Sequence, residues 1–216
     1  MQETFDETDI LAQTYIEAKR RFAGIDDLAH GWEHINRVYE LALTIAVQEE
    51  AHPFVVGMAA LLHDLGRTTP HDDNDKHHAD ASVDIARELM QRYHVPAETQ
   101  DAILHAIVAH SFSRGVEPRT IEARVVRDAD RVDGLGAIGI IRWAMSGANK
   151  HTPHTYHPAD PLGEQHELDD HTYMLDHFPL KLLKLADTMT TETGRQLAQQ
   201  RTAFMRAYLS ELRREL

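Results

Sequence analysis

Apolar residues recur at three- and four-residue steps along most of this chain, the spacing that places them on one face of an α-helix. Ile10, Tyr15, Ile16, Lys19 and Phe22 give a loose amphipathic first helix, and Val38, Leu41 and Ile45 form the stripe of a second over 32–49. Pro53 suits the first turn of a third, where its missing N–H costs nothing. Phe54, Val55, Val56, Met58, Leu61, Leu62 and Leu65 make that helix apolar on most sides. It is therefore predicted to be central and buried, with Gly66 as its C-terminal cap. A polar loop over 67–76 follows, then helices over 78–93, 97–111 after Pro96, 119–132 after Pro118, and 137–145. Residues 146–170, with Gly147, Pro153, Pro158, Pro161 and Gly163, read as the longest loop and a mobile one. The remainder, 171–216, reads as one or two helices with a break near Gly194. No repeat and no alternating strand pattern is present, so the expected fold class is all-α.

A length of 216 residues fits one domain. The reading is a single domain over 1–216, with a core at about 28–135 and a C-terminal helical part at about 136–216. Hydrophobic residues at 42% suffice for a core and exclude disorder as the main description. No apolar run approaches the roughly 20 residues that span a bilayer. The acidic, polar start at Gln2 and Glu3 is unlike a signal peptide. The absence of cysteine excludes disulfide scaffolds and thiolate metal sites. A cytoplasmic location is the expectation. The net charge of −13, without a run of five basic residues, argues against nucleic acid or an anionic membrane as partner. Histidine is the abnormal count, at 16 residues, and imidazole is the metal ligand open to a chain without thiols.

Three places bring such chemistry together. His34 continues the core-facing stripe of Val38, Leu41 and Ile45, which suits either a hydrogen-bonded core histidine or a ligand. His63 and Asp64 end the most apolar helix. A carboxylate buried there needs a compensating charge, which a divalent cation supplies; the alternative is a helix end turned to water. Asp128, Asp130 and Asp133 crowd one helix with Arg127 and Arg131, and helical period does not choose among them. Two imidazoles and two carboxylates make a mixed nitrogen and oxygen site for Mn, Fe, Ni, Co or Zn.

The order His34, His63-Asp64, Ala129-Asp130 resembles the H…HD…D pattern of the HD-domain metal-dependent phosphohydrolases. Longer strings are similar to the small bacterial YedJ/YpgQ-like branch: His30-Gly31-Trp32-Glu33-His34, Ala106 through His110 to Ser113, Arg127 through Asp130 to Gly139, and Asp176-His177-Phe178 with Lys181 and Lys184. The resemblance covers residues from about 28 to 200. It implies an α-helical fold and one divalent metal (Mn, Ni, Co, Fe, Zn or Mg) on His34, His63, Asp64 and Asp130, the last ligand following the alanine of an Ala-Asp pair. It also implies a nucleotide as small-molecule partner. Metal-bound hydroxide would attack the α-phosphorus of a (deoxy)nucleoside triphosphate, leaving a monophosphate and pyrophosphate. The alternatives are nucleotide phosphomonoester or phosphodiester hydrolysis, and a non-catalytic nucleotide- or metal-binding regulator. A homodimer is compatible with the reading.

Around the expected ligands, Arg67, His78, Arg131 and Lys181 are candidates for substrate phosphate, with Lys184 on the same face as Lys181. Asp64, Asp133 and His110 are candidates for proton transfer, His110 being expected to face inward with Ile103 and Ile107. Asp133 is alternatively a partner for Arg131. Some HD relatives carry acids directly after the doublet; here Leu65, Gly66 and Arg67 stand there, and Asp72, Asp73 and Asp75 come later. Gly134, Gly136 and Gly139 match a dinucleotide-binding string but lack the preceding strand, so they are expected to serve close helix approach or a kink. His30 is expected just before its helix, and His151, His154 and His157 in a surface tract.

Overall fold

The computed structural model describes residues 5–69 and 78–216, except for the side chains of His78, Ala79 and Phe112. Among the described residues there is no strand, only an isolated bridge between His154 and Tyr173, and the fold is all-α. The chain forms two compact units, Met1–Asp26 with His30–Asp130, and Asp27–Ala29 with Arg131–Leu216.

The first unit is built on α1 (Glu7–Phe22), α2 (Trp32–Gln48), α3 (Pro53–Leu62), α4 (His78–Arg92), α5 (Ala97–His110) and most of α6 (Ile121–Asp133). Asp6 caps α1, its carboxylate accepting from the Thr8 and Asp9 N–H groups. Every side chain of α3 from Phe54 to Leu62 is buried, and α1, α2 and α5 pack around it. Each large apolar side chain so buried contributes about 1.5–3 kcal/mol, which makes α3 the axis of this unit. Gly57 gives α3 its close approach to α1 and α2: a Cβ there would lie 3.0 Å from Leu11 Cδ1 and 3.3 Å from Tyr39 Cε2.

The expected cap at Gly66 is not what ends α3. The helix stops at Leu62, His63 keeps helical angles, and Asp64 bends the chain into a 3₁₀ turn, Leu65–Thr68. Gly66 is buried within that turn, and its N–H donates to Ser82 Oγ of α4 at 2.8 Å. A bond from another helix therefore does what a left-handed glycine was expected to do.

The second unit holds α7 (Gly136–Asn149), α8 (His177–Leu180), a 3₁₀ segment Leu182–Thr188, and α9 (Glu192–Glu215). Helix α7 runs four residues into the expected loop. Gly194 does not break a helix: Thr191 caps α9 and its hydroxyl accepts from the Gly194 N–H at 3.0 Å, so Gly194 lies in the first turn. The glycine string serves close approach. Gly136 has φ +74°, and a Cβ on Gly139 would fall 2.3 Å from the Gly134 carbonyl oxygen and 3.0 Å from Met205 Cε of α9.

The long loop is knotted by charge. His166 donates from Nδ1 to Asp160 and from Nε2 to Asp176, each at 2.8 Å. Asp160 also accepts from the Glu164, Gln165 and His166 N–H groups. His157 stacks on His166 with ring centroids 4.3 Å apart.

Candidate metal centre

Four helix ends or faces of the first unit converge on one buried cluster. His34 lies in the first turn of α2 and is 1% exposed. His63 and Asp64 occupy the bend after α3, at 0% and 3%. His110 is the last residue of α5, and Asp130 lies on α6. Asp64 thus does not turn to water; the bend that Ser82 pins faces both side chains of the doublet inward.

Two groups of potential ligand atoms share His63: His34, His63 and Asp130, and His63, Asp64 and His110, each within 4.8 Å. His34 Nε2 lies 3.5 Å from Asp130 Oδ1, His63 Nε2 3.9 Å from Asp64 Oδ2, and His110 Nε2 3.8 Å from Asp64 Oδ1. The choice that helical period left open among the acids of α6 falls on Asp130. Asp128 is fully buried and belongs to neither group.

The tautomers follow from the backbone. His63 Nδ1 lies 2.8 Å from the Ala60 carbonyl oxygen, and His110 Nδ1 2.5 Å from that of Ile107. A carbonyl only accepts, so Nδ1 carries the proton in both rings and Nε2 presents a lone pair in the neutral form. His63 Nε2 is buried with no hydrogen-bond partner among the described residues. A buried lone pair facing carboxylates is unfavourable without a cation between them. The donor set, imidazole nitrogen with carboxylate oxygen and no sulfur, fits a borderline or hard divalent ion.

Burial alone would raise the Asp64 carboxyl, but positive charge, on His63 when that ring is protonated, on Arg67 always, and on His110 and His34 when protonated, holds it well below the usual carboxylate range. Arg67 Nε donates to Asp64 Oδ2 at 2.6 Å. Burial pushes His110 below the ordinary imidazole value, with His63 acting in the same direction against Asp64, Asp130 and the Ile107 carbonyl. The balance favours the neutral form of His110.

Among the other expected residues, His30 precedes α2, with its ring 6.0 Å from that of His34. For His78 only the backbone, at the start of α4, is described, and Asp72, Asp73 and Asp75 lie outside the described residues. In the second unit, Arg131 Nη1 donates to the Thr188 carbonyl and hydroxyl, at 2.9 and 3.0 Å. Asp133 is buried and paired with Arg142 at 3.0 Å. Lys181 and Lys184 are exposed. His110, which the sequence offers both for proton transfer and, with His78, as a ligand for a second metal, stands in a possible ligand group with His63 and Asp64.

The HD domain family matches residues 31–135. The chain is 35% identical over 192 residues to the uncharacterized protein YpgQ of Bacillus subtilis, covering 87% of this chain and 84% of that one. The crystal structure of B. subtilis YpgQ in complex with ADP superposes with a TM-score of 0.74 at 31% identity, over 97% of this chain and 96% of that one. An HD-superfamily hydrolase of Bacillus thuringiensis gives 0.75 at 30% identity, over 97% and 98%. A shorter likeness, 38% identity over 100 residues, links the chain to ribonuclease Y of Thermoanaerobacter pseudethanolicus, of which it spans 18%.

Proposed function

Since this chain belongs to the HD-domain family, we propose that it hydrolyses (deoxy)nucleoside triphosphates to the monophosphate and pyrophosphate, with one divalent ion held by His34, His63, Asp64 and Asp130. The observation that carries the metal is the buried His63 Nε2 lone pair facing carboxylates. The observation that favours a nucleotide is the ADP-bound crystal structure of the YpgQ relative. A divalent ion in such a set supplies bound water of lowered pKa and a counter-charge for a phosphate oxygen.

The residues of the chain divide the remaining work. His63 and His110 are fixed by their backbone carbonyls, so their Nε2 atoms need no reorientation during turnover. Water attacks the α-phosphorus, the bond from that phosphorus to the α,β-bridging oxygen breaks, and the bridging oxygen leaves with pyrophosphate. Neutral His110 accepts the proton lost by the attacking water at Nε2, and Asp64 at 3.8 Å stabilises the imidazolium formed. Arg67 holds Asp64 ionised. Within the first unit Arg67 and His78 are the candidate phosphate contacts.

The test is the metal content of the gently purified protein, then a nucleotide panel with added manganese in which pyrophosphate and orthophosphate are measured separately. About one ion per chain with pyrophosphate release is expected. In ¹⁸O-water the label should enter the monophosphate only. Orthophosphate alone would overturn the reading in favour of a phosphomonoesterase. The ribonuclease Y likeness favours a second reading, phosphodiester hydrolysis, which bis(p-nitrophenyl) phosphate would reveal.

A further inference from the structure

In the second unit a cavity of about 120 Å³ opens between α7 and the segment that leads into α8. It is about four water volumes, enough for a tetrahedral oxyanion. One wall is apolar and rigid. Trp143 Nε1 donates to the Met174 carbonyl at 2.8 Å, the indole packs edge-on against Phe178, and the Met174 side chain occupies the space that Gly147 leaves free. Polar groups line the cavity as well. Ser146, Lys150, Thr152 and His171 line it, and their side chains make no hydrogen bond or ion pair among the described residues.

The fifth polar group is oriented. His177 Nδ1 lies 2.5 Å from Asp170 Oδ2, so Nδ1 carries the proton and Nε2 is left as an acceptor. Burial depresses His177 below its ordinary value against the pull of Asp170, and Lys181 and Lys150 act in the same direction as burial. The imidazole is thus a neutral acceptor standing among donors: an ammonium, two hydroxyls and a ring N–H.

We infer that this cavity binds a phosphate-type oxyanion that still carries one proton, either free hydrogen phosphate or a phosphomonoester. The bare oxygens accept from Lys150, Ser146, Thr152 and His171, and the remaining P–OH donates to His177 Nε2. Asp170 is engaged by His177, and the Lys150 ammonium offsets its charge. A fully ionised tetrahedral anion such as sulfate has no proton for Nε2 and is rejected by lone-pair repulsion, because a site built around a hydrogen bond discriminates strongly against a ligand lacking the matching group. The inference does not depend on the metal-centred reading.

The chain has two tryptophans, so Trp143 emission in a Trp32→Phe background reports this cavity alone. Titration of the full chain at pH 7 with orthophosphate, adenosine monophosphate, sulfate and adenosine is the test. Orthophosphate is expected to shift the emission saturably, and sulfate to bind at least about tenfold more weakly. Lys150→Gln, at an exposed position, should weaken phosphate by about tenfold or more through loss of a charge-assisted bond. His177→Asn should bring phosphate and sulfate together. Tighter binding of the monophosphate than of orthophosphate identifies a phosphomonoester as the ligand; the reverse identifies the free ion. No saturable shift with either, an unchanged response in Lys150→Gln, equal binding of sulfate, or equal binding of adenosine would each overturn the inference.

Discussion

The metal-centre histidines and the loop histidines are the same side chain put to opposite uses. At the centre, His63 and His110 give their Nδ1 protons to backbone carbonyls and turn Nε2 lone pairs inward. In the loop, His166 lies between Asp160 and Asp176 with a carboxylate on each nitrogen. A neutral imidazole has one N–H and cannot donate to both, so His166 is an imidazolium and has no lone pair left for a metal. The difference teaches that histidine count says little about metal binding. The acceptor on the second ring nitrogen decides: a carbonyl prepares a ligand, and a second carboxylate makes a structural cation.

The largest effect should come from breaking the centre. His63→Ala and Asp64→Ala should each lose bound metal and more than about 100-fold in turnover, beyond the usual cost of outer-shell changes, while circular dichroism stays helical. Metal analysis and kinetics on the folded variants check this, and full activity in either would remove the site assignment. Next, His110→Gln should lower kcat by about 100-fold, within the range for a lost proton-transfer group, and keep the metal. Loss of the metal as well would make His110 a ligand, a role its place beside His63 and Asp64 also allows.

A smaller effect sharpens the contrast from the loop side. His166→Gln should leave the metal content unchanged and speed hydrogen exchange at the Gln165 and His166 amides, which Asp160 now holds. The smallest is a pH effect. The Asp160 bond, with Asp176 assisting, raises His166 above its ordinary value, and the Gln165 N–H with the His166 side chain lowers Asp160. The His166 contribution is complete below the unfolded value of about 6.5 and fades as pH rises through the higher folded value. That of Asp160 is present above about 3.9 and fades as pH falls through the lower folded value. Loop amides should therefore be best protected between these limits, and a His166 ring titration by NMR should give a midpoint above that of an exposed histidine.

Helix existence was legible because it depends on local repeat. The stripe of Val38, Leu41 and Ile45 gave α2 almost to the residue, and the apolar run from Phe54 to Leu65 gave the start and burial of α3 but overran its end at Leu62. Ends were less legible where the stopping bond comes from elsewhere: Ser82 holds the turn at Gly66 from sixteen residues away. The start of α9 is a local case that glycine masked: the Thr191 hydroxyl three residues earlier turned an expected break at Gly194 into a first turn.

The sequence by itself determined an all-α chain with a His-Asp doublet at the end of its most apolar helix, and its strings marked the family. Those properties live within a few turns of one helix, where 3.6-residue periodicity and side-chain chemistry are sufficient. The resemblance named Asp130, but only the tertiary structure brought it to 3.5 Å from His34, set His110 beside His63 and Asp64, and bridged His166 between two acids. Each of these is a distance between groups brought together by folding. Packing sets that distance when it rotates one face of α6 toward α2 or folds a loop onto a buried carboxylate, and no local pattern carries it.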